Sequence, residues 1–123
     1  MSASQIGARL VEHCRNQTEA QGLDTLYAPD AVSVEAVDSG GMGRETHGVE
    51  GIRGKHQWWA DNFEVHDFVV SDAMPHGDDR FAVIFEMDVT HKASGERRQM
   101  KEVGLYHVAD GRIVKEEFFY PTN

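Results

Sequence analysis

Val103-Gly-Leu-Tyr-His-Val-Ala-Asp-Gly-Arg-Ile-Val-Lys-Glu-Glu-Phe-Phe-Tyr120 reads as a long β-hairpin. Two strand-like runs flank Asp110-Gly111, a dipeptide suited to a tight turn in which both central residues take positive φ. Upstream, Arg80 to Thr90 is another strand, because Phe81, Val83, Phe85, Met87 and Val89 alternate strictly. Val65 to Met74 is a further run, joined to it around Pro75 to Asp79. Ser94-Gly95 turns the chain into Arg97–Val108. The short links among these four strands predict an antiparallel meander, since parallel neighbours need crossovers.

The first half is mostly helical. Ser2 and Gln5 can form a capping box, and Ile6, Leu10 and Cys14 recur at fourfold spacing behind it. A second helix starts near Thr18, buries Ala20, Leu23, Leu26 and Tyr27, and ends at Ala28-Pro29. Ala31 to Val37 is a strand with Val32, Val34 and Ala36 on one face and Ser33, Glu35 and Val37 on the other. Asp38 to Gly48 is a glycine-rich loop, expected to act as a mobile lid. A third helix runs from about Val49 to Asn62, with Ile52, His56, Trp59 and Phe63 on its inner stripe.

The order helix, helix, strand, helix, four strands predicts an α+β fold in one domain over residues 1–123. Three helices packed on a curved antiparallel sheet would enclose a cone-shaped cavity, where small ligands bind. The apolar fraction of 40% supports a packed core, and the net charge of −9 argues against binding nucleic acid or anionic membranes. Cys14 is the only cysteine, which fits a reducing compartment. The N-terminus lacks a long apolar run, and no stretch approaches the ~18 apolar residues of a membrane span. The chain is therefore expected to be cytoplasmic. Seven histidines form neither a His-x-His nor a His-Glu-x-x-His pattern, so no metal site is expected. Gly54-Lys55 is followed by His56 rather than Ser or Thr and sits inside a helix, so it is no phosphate loop.

Three local patterns occur in order: Leu26-Tyr-Ala-Pro-Asp-Ala-Val32, Gly48-Val-Glu-Gly-Ile-Arg53 and Val103 to Val114. Together they resemble the nuclear transport factor 2-like superfamily, in its SnoaL-like branch. Gly54-Lys-His-Gln-Trp-Trp59 with Glu116-Glu-Phe-Phe-Tyr120 resembles an uncharacterised bacterial subgroup of that branch. The resemblance implies a cone-shaped α+β barrel of the cystatin-like kind, often a homodimer packed through the outer sheet face. Ala82 and Ile84, outward on a central strand, fit such a contact. It also implies a small hydrophobic ligand and cofactor-free acid–base chemistry of the isomerase, cyclase or dehydratase type. Fold alone does not select among these.

Counting from Tyr27-Ala28, the general-base position of the ketosteroid isomerases falls on Glu35. A carboxylate at the mouth of an apolar pocket has its charged form disfavoured by desolvation, which makes it a usable base near neutrality. His56 on the third helix could shuttle a proton or orient a ligand. Glu102 shares a strand face with Met100, Tyr106 and Val108. A one-residue slip would instead turn Lys101, Val103, Leu105 and His107 inward. The candidate catalytic residues are thus Glu35, His56 and Glu102, with Tyr27, Trp59, Phe63, Phe85, Met100, Tyr106, Glu116 and Tyr120 as candidate ligand contacts. Two departures speak against steroid isomerisation. No tyrosine precedes Tyr27, and the isomerases' second oxyanion donor falls on Val103 or Gly104. The other reading is a domain that binds a ligand, or dimerises, without turnover.

Overall fold

The computed structural model describes residues 1–38, 41 and 43–122. Helix α1 (Ala3–Asn16) opens with the capping box: the Ser2 amide donates to Gln5 Oε1 at 2.9 Å and the Gln5 amide donates to Ser2 Oγ at 3.2 Å. Its buried face holds Ile6, Leu10, Val11 and Cys14. At Gly7 a Cβ would lie 2.8 Å from the Ala73 side chain, so glycine is what lets α1 settle this close to the sheet. The helix stops at Gln17, whose left-handed φ of 59° reverses the chain into α2 (Glu19–Leu26). Strand β1 (Tyr27–Val34) follows at once, so Tyr27 and Ala28, expected at a helix end, already lie in the sheet. Strand β2 (Glu45–His47) precedes α3 (Val49–Asn62), and then come β3 (Phe63–Val70), β4 (Met74–His76), β5 (Arg80–His91), β6 (Arg97–Ala109) and β7 (Arg112–Phe119).

The sheet order is β2-β1-β7-β6-β5-β3, with β4 also on β5. The meander is antiparallel as expected, from β3 on β5 through β6 to β7. The expected cone-shaped, wholly antiparallel sheet is not what forms. β1 pairs with β7 in parallel, so the sheet is mixed, and the strand path is open, ending in β2 and β3. The reason is topological. Short links constrain only the strands they join, whereas β1 reaches its neighbour through α3 and the whole meander, a connection long enough for parallel pairing. The short strand β2 falls where a loop was expected, and the expected Val65–Met74 strand divides, β3 ending at Val70 and Met74 opening β4. Ser39, Gly40 and Met42 of the expected lid lie outside the described residues.

The core lies between the helices and one sheet face. Ile6, Leu10, Leu23, Leu26 and Ile52 meet Phe81, Val83, Phe85, Val89, Tyr106 and Ile113. At the hairpin, Asp110 and Gly111 take φ of 53° and 74°, the paired positive values that the turn requires. One irregularity in β7 decides the site. His107 pairs with Lys115 but Val108 pairs with Ile113, leaving Val114 as an extra residue. Strict alternation from Ile113 would turn Lys115 and Glu117 inward. The extra residue instead buries Glu116.

Candidate functional site

The burial pattern of β6 settles its register. Gly104 and Tyr106 are buried, Met100 and Val108 pack against the core, and Lys101 is exposed beside Glu86. Glu102 therefore faces the helices. Gly104 allows the crowding around it, since a Cβ there would stand 2.9 Å from Tyr106, 3.1 Å from Phe85 and 3.2 Å from Phe118.

A polar network runs across this face. The Tyr27 hydroxyl donates to Glu116 Oε1, and the Ser33 hydroxyl donates to Glu116 Oε2 at 2.7 Å. Lys55 Nζ donates to Ser33 Oγ at 2.5 Å and to Glu35 Oε2 at 2.7 Å. The Tyr120 hydroxyl donates to Glu35 Oε1 at 3.1 Å. Ser33 is 0% and Glu116 1% exposed, so this chain starts in the core. It ends at the Lys55–Glu35 ion pair, whose side chains keep 25% and 32% of their exposure. The Lys55 ammonium also stands 5.2 Å from the centre of the Phe118 ring.

Among the described residues, Glu102 is the carboxyl of this cluster without a hydrogen-bond partner. None of the described hydrogen bonds ends on it. Burial, then the charges of Glu35 and Glu116, push its pKa up to about 7, with Lys55 acting in the opposite direction. The same burial, reinforced by Glu116, raises the Tyr27 and Tyr106 hydroxyls well above the ordinary phenol range. Tyr120 is raised by burial and by Glu35. These phenols are donors at neutral pH, and Glu102 can hold or release a proton there.

Six expected residues thus gather on one face: Tyr27, Glu35, Glu102, Tyr106, Glu116 and Tyr120. Phe85 joins them as an apolar wall with Phe68 and Phe118, their ring centroids 6.0 and 6.5 Å from its own. Met100 packs at the margin of the core. Trp59 and Phe63 sit elsewhere, stacked on each other at 4.1 Å where α3 gives way to β3, with His91 5.1 Å from Phe63. His56 is exposed, and no described hydrogen bond joins it to Glu35 or Glu102. Its pKa is lowered by the protein around it and by Lys55 and Arg53, against Glu116 and Glu19.

Lys55 and Ser33 are the residues that sequence reasoning missed. Ser33 shares its strand face with Glu35. Lys55 lies three residues after Ile52 and four before Trp59, a spacing as good for the inner stripe as that of His56. Two surface clefts of about 470 and 420 Å³ lie away from this cluster, one along α1 by Arg15 and Asp72 and one on the outer sheet face by Val69 and Glu86. Neither is lined by Glu35, Lys55 or Glu102, and neither gathers buried charge, so the polar network is the better candidate. Among the described residues no three His, Cys, Asp or Glu side chains are grouped to hold a metal ion. Nor is any helix long and apolar enough to cross a membrane.

The SnoaL-like domain family matches residues 1–120. A crystal structure from Mesorhizobium loti, described both as a proposed SnoaL-like polyketide cyclase and as a carbohydrate phosphatase, is 41% identical with a TM-score of 0.90, over 98% of this chain and 100% of that one. A nuclear transport factor 2-like protein from Burkholderia thailandensis has the same fold at 16% identity and a TM-score of 0.83, over 98% and 92% of the two chains. A proposed isomerase from Bacillus subtilis does so at 14% identity and 0.75, over 97% and 86%. No curated protein matches the sequence. With the family spanning nearly every residue and the fold agreeing throughout, this chain belongs to the SnoaL-like domain family.

Proposed function

We propose that the protein binds a small, largely apolar, carbonyl-bearing molecule against Glu102 and Lys55 and moves a proton on it. The observation that carries this reading is the pairing of a partnerless, half-buried carboxyl with a lysine that has donor capacity to spare. Glu102 has a pKa of about 7, so at neutral pH its carboxylate form is available to accept a proton and its acid form to return one. An ammonium has three N–H groups, and Ser33 and Glu35 engage two of those on Lys55. The third has no partner among the described residues and can meet a ligand oxygen. In the forward step a C–H bond beside the carbonyl breaks and Glu102 takes the proton. The electron pair moves into the new C=C bond, and the charge on the oxygen is met by Lys55. Glu35 then holds Lys55 in place, and Tyr120 orients Glu35. The aromatic wall of Phe85 and Phe118 suits a cyclic substrate. Of the two descriptions of the Mesorhizobium loti relative, polyketide cyclase agrees with this class and carbohydrate phosphatase does not.

The test needs no knowledge of the natural substrate. Small cyclic ketones are incubated with the protein in D2O, and loss of the α-proton signal is followed by NMR. Exchange should accelerate with the wild type and fall by about 10²-fold or more in Glu102→Gln. Equal exchange in the two proteins would end this assignment.

Binding without turnover is the second reading. It is favoured by Val103 and Gly104, which stand where the isomerases carry their second oxyanion donor. The outer sheet face, with Ile84 paired to Val103 and Val103 to Phe119, is proposed as the contact with a second copy of the chain. Phe119 is 48% exposed there.

A further inference from the structure

We infer that Ser33, backed by Glu116, is the positioning residue of this site: it fixes where the Lys55 ammonium stands. A hydroxyl has one proton to give and lone pairs to offer. Both Glu116 oxygens accept, one from Tyr27 and the other from Ser33 at 2.7 Å. The Ser33 proton is therefore committed to Glu116, and its lone pairs must face α3. There they receive Lys55 at 2.5 Å. With Glu35 at 2.7 Å the ammonium is held at two points, one on β1 and one just beyond its end. The arrangement also serves Glu116, a carboxylate buried to 1% exposure, which has a cation one hydroxyl away. Neither Ser33 nor Glu116 is exposed enough to touch a ligand, so both act through Lys55.

The effect can be read on Glu102. The groups acting on that carboxyl come from several elements: Glu35 beyond β1, Lys55 on α3 and Glu116 on β7, with Tyr106 beside it on β6. Phe85, its partner on β5, carries no charge. Lys55 is the cation among them, so loosening it raises the Glu102 pKa. The inference rests on the reading that Lys55 and Glu102 face one ligand space, but its test uses no ligand.

The carboxyl carbon resonance of Glu102, assigned by its loss in Glu102→Gln, is followed against pH. Ser33→Ala should move its midpoint up from about 7 by about one unit. Ser33→Thr, which keeps the hydroxyl, should restore it. In a Lys55→Met background, Ser33→Ala should add no further rise, since the two changes remove the same interaction. A purely structural serine would give a lower Tm with the midpoint unmoved, and that result would overturn the inference, as would failure of threonine to restore it. If Ser33→Ala does not fold, Ser33→Cys reads the same quantity at nearly the same volume, and an unmoved midpoint there is equally fatal. A failed ketone exchange leaves this titration standing, so the two readings fall separately.

Discussion

Lys55 reaches from the middle of α3 to Glu35, 2.7 Å away and just past the end of β1, and so ties the helix to the sheet at the place where the charges collect. The pair keeps about a quarter to a third of its exposure, so its value lies in placing a cation more than in stability. Lys55→Met should leave the fold intact and reduce ketone exchange by about 10²-fold. Retention of full exchange, with circular dichroism unchanged, would remove Lys55 from the proposed chemistry.

Glu102 gives stability an unusual pH dependence. Its carboxyl is raised in the folded state, from 4.5 to about 7, so between those values the folded protein binds more protons than the unfolded chain. Stability therefore falls as pH rises from about 4.5 through 7 and is flat in this group above that. Glu102→Gln should abolish the fall and leave the variant more stable than wild type at pH 8, by of order 2 kcal/mol. Urea melts at pH 5 and pH 8 for both proteins check the sign. A variant less stable at pH 8 would contradict the burial of this carboxyl.

Gly104 stands among three rings, and its replacement tests how tightly they are packed. Gly104→Ala brings a methyl group to 2.9 Å from Tyr106 and 3.1 Å from Phe85. Overpacking of this kind costs about 1–3 kcal/mol, so thermal unfolding should come several degrees earlier. No change in Tm would mean that the rings have room to move.

Cys14 is buried, and burial, with Glu19 and Glu116, pushes its thiol up to about 12. Alkylation needs the thiolate. Iodoacetamide at pH 8 should therefore spare the native protein and label it quickly in urea. Native labelling at the rate of a free thiol would show α1 lifting from the sheet.

The proposed second copy is tested on the outer face. Phe119→Asp, at an exposed position in line with Val103 and Ile84, should convert a dimer into a monomer by light scattering. A monomeric wild type would dismiss the contact.

Much of the fold could be read from local pattern. Asp110-Gly111 predicted its own backbone, Ser2 and Gln5 predicted the start of α1, and the bounds of α3 follow from its stripe. Long-range pairing could not be read this way. Nothing local in Tyr27–Val34 says that its neighbour is β7 or that the two run parallel. The site was legible in part for a related reason. Alternation put Glu35, Glu102 and Tyr106 on faces that the structure keeps. Helical spacing, however, tolerates both three and four residues, so Ile52 and Trp59 fit Lys55 and His56 alike. Only the positions of Glu35 and Ser33 across the gap decide between them.

The extra residue at Val114 has a consequence for how this site can change over generations. Glu116, Phe118 and Tyr120 interleave along the strand with Lys115, Glu117 and Phe119. The helix-facing side and the solvent side are thus two interleaved messages in one stretch of chain, and the bulge at Val114 sets the reading frame. Regular pairing with every residue kept would exchange the messages, carrying the Glu116 that anchors Ser33 and Tyr27 outward and a lysine inward, whereas loss of Val114 alone would straighten the strand and leave both messages in place. Homologues of equal length that pair this hairpin without the bulge should therefore be expected to differ in chemistry, whereas those that lack only the bulged residue should keep it.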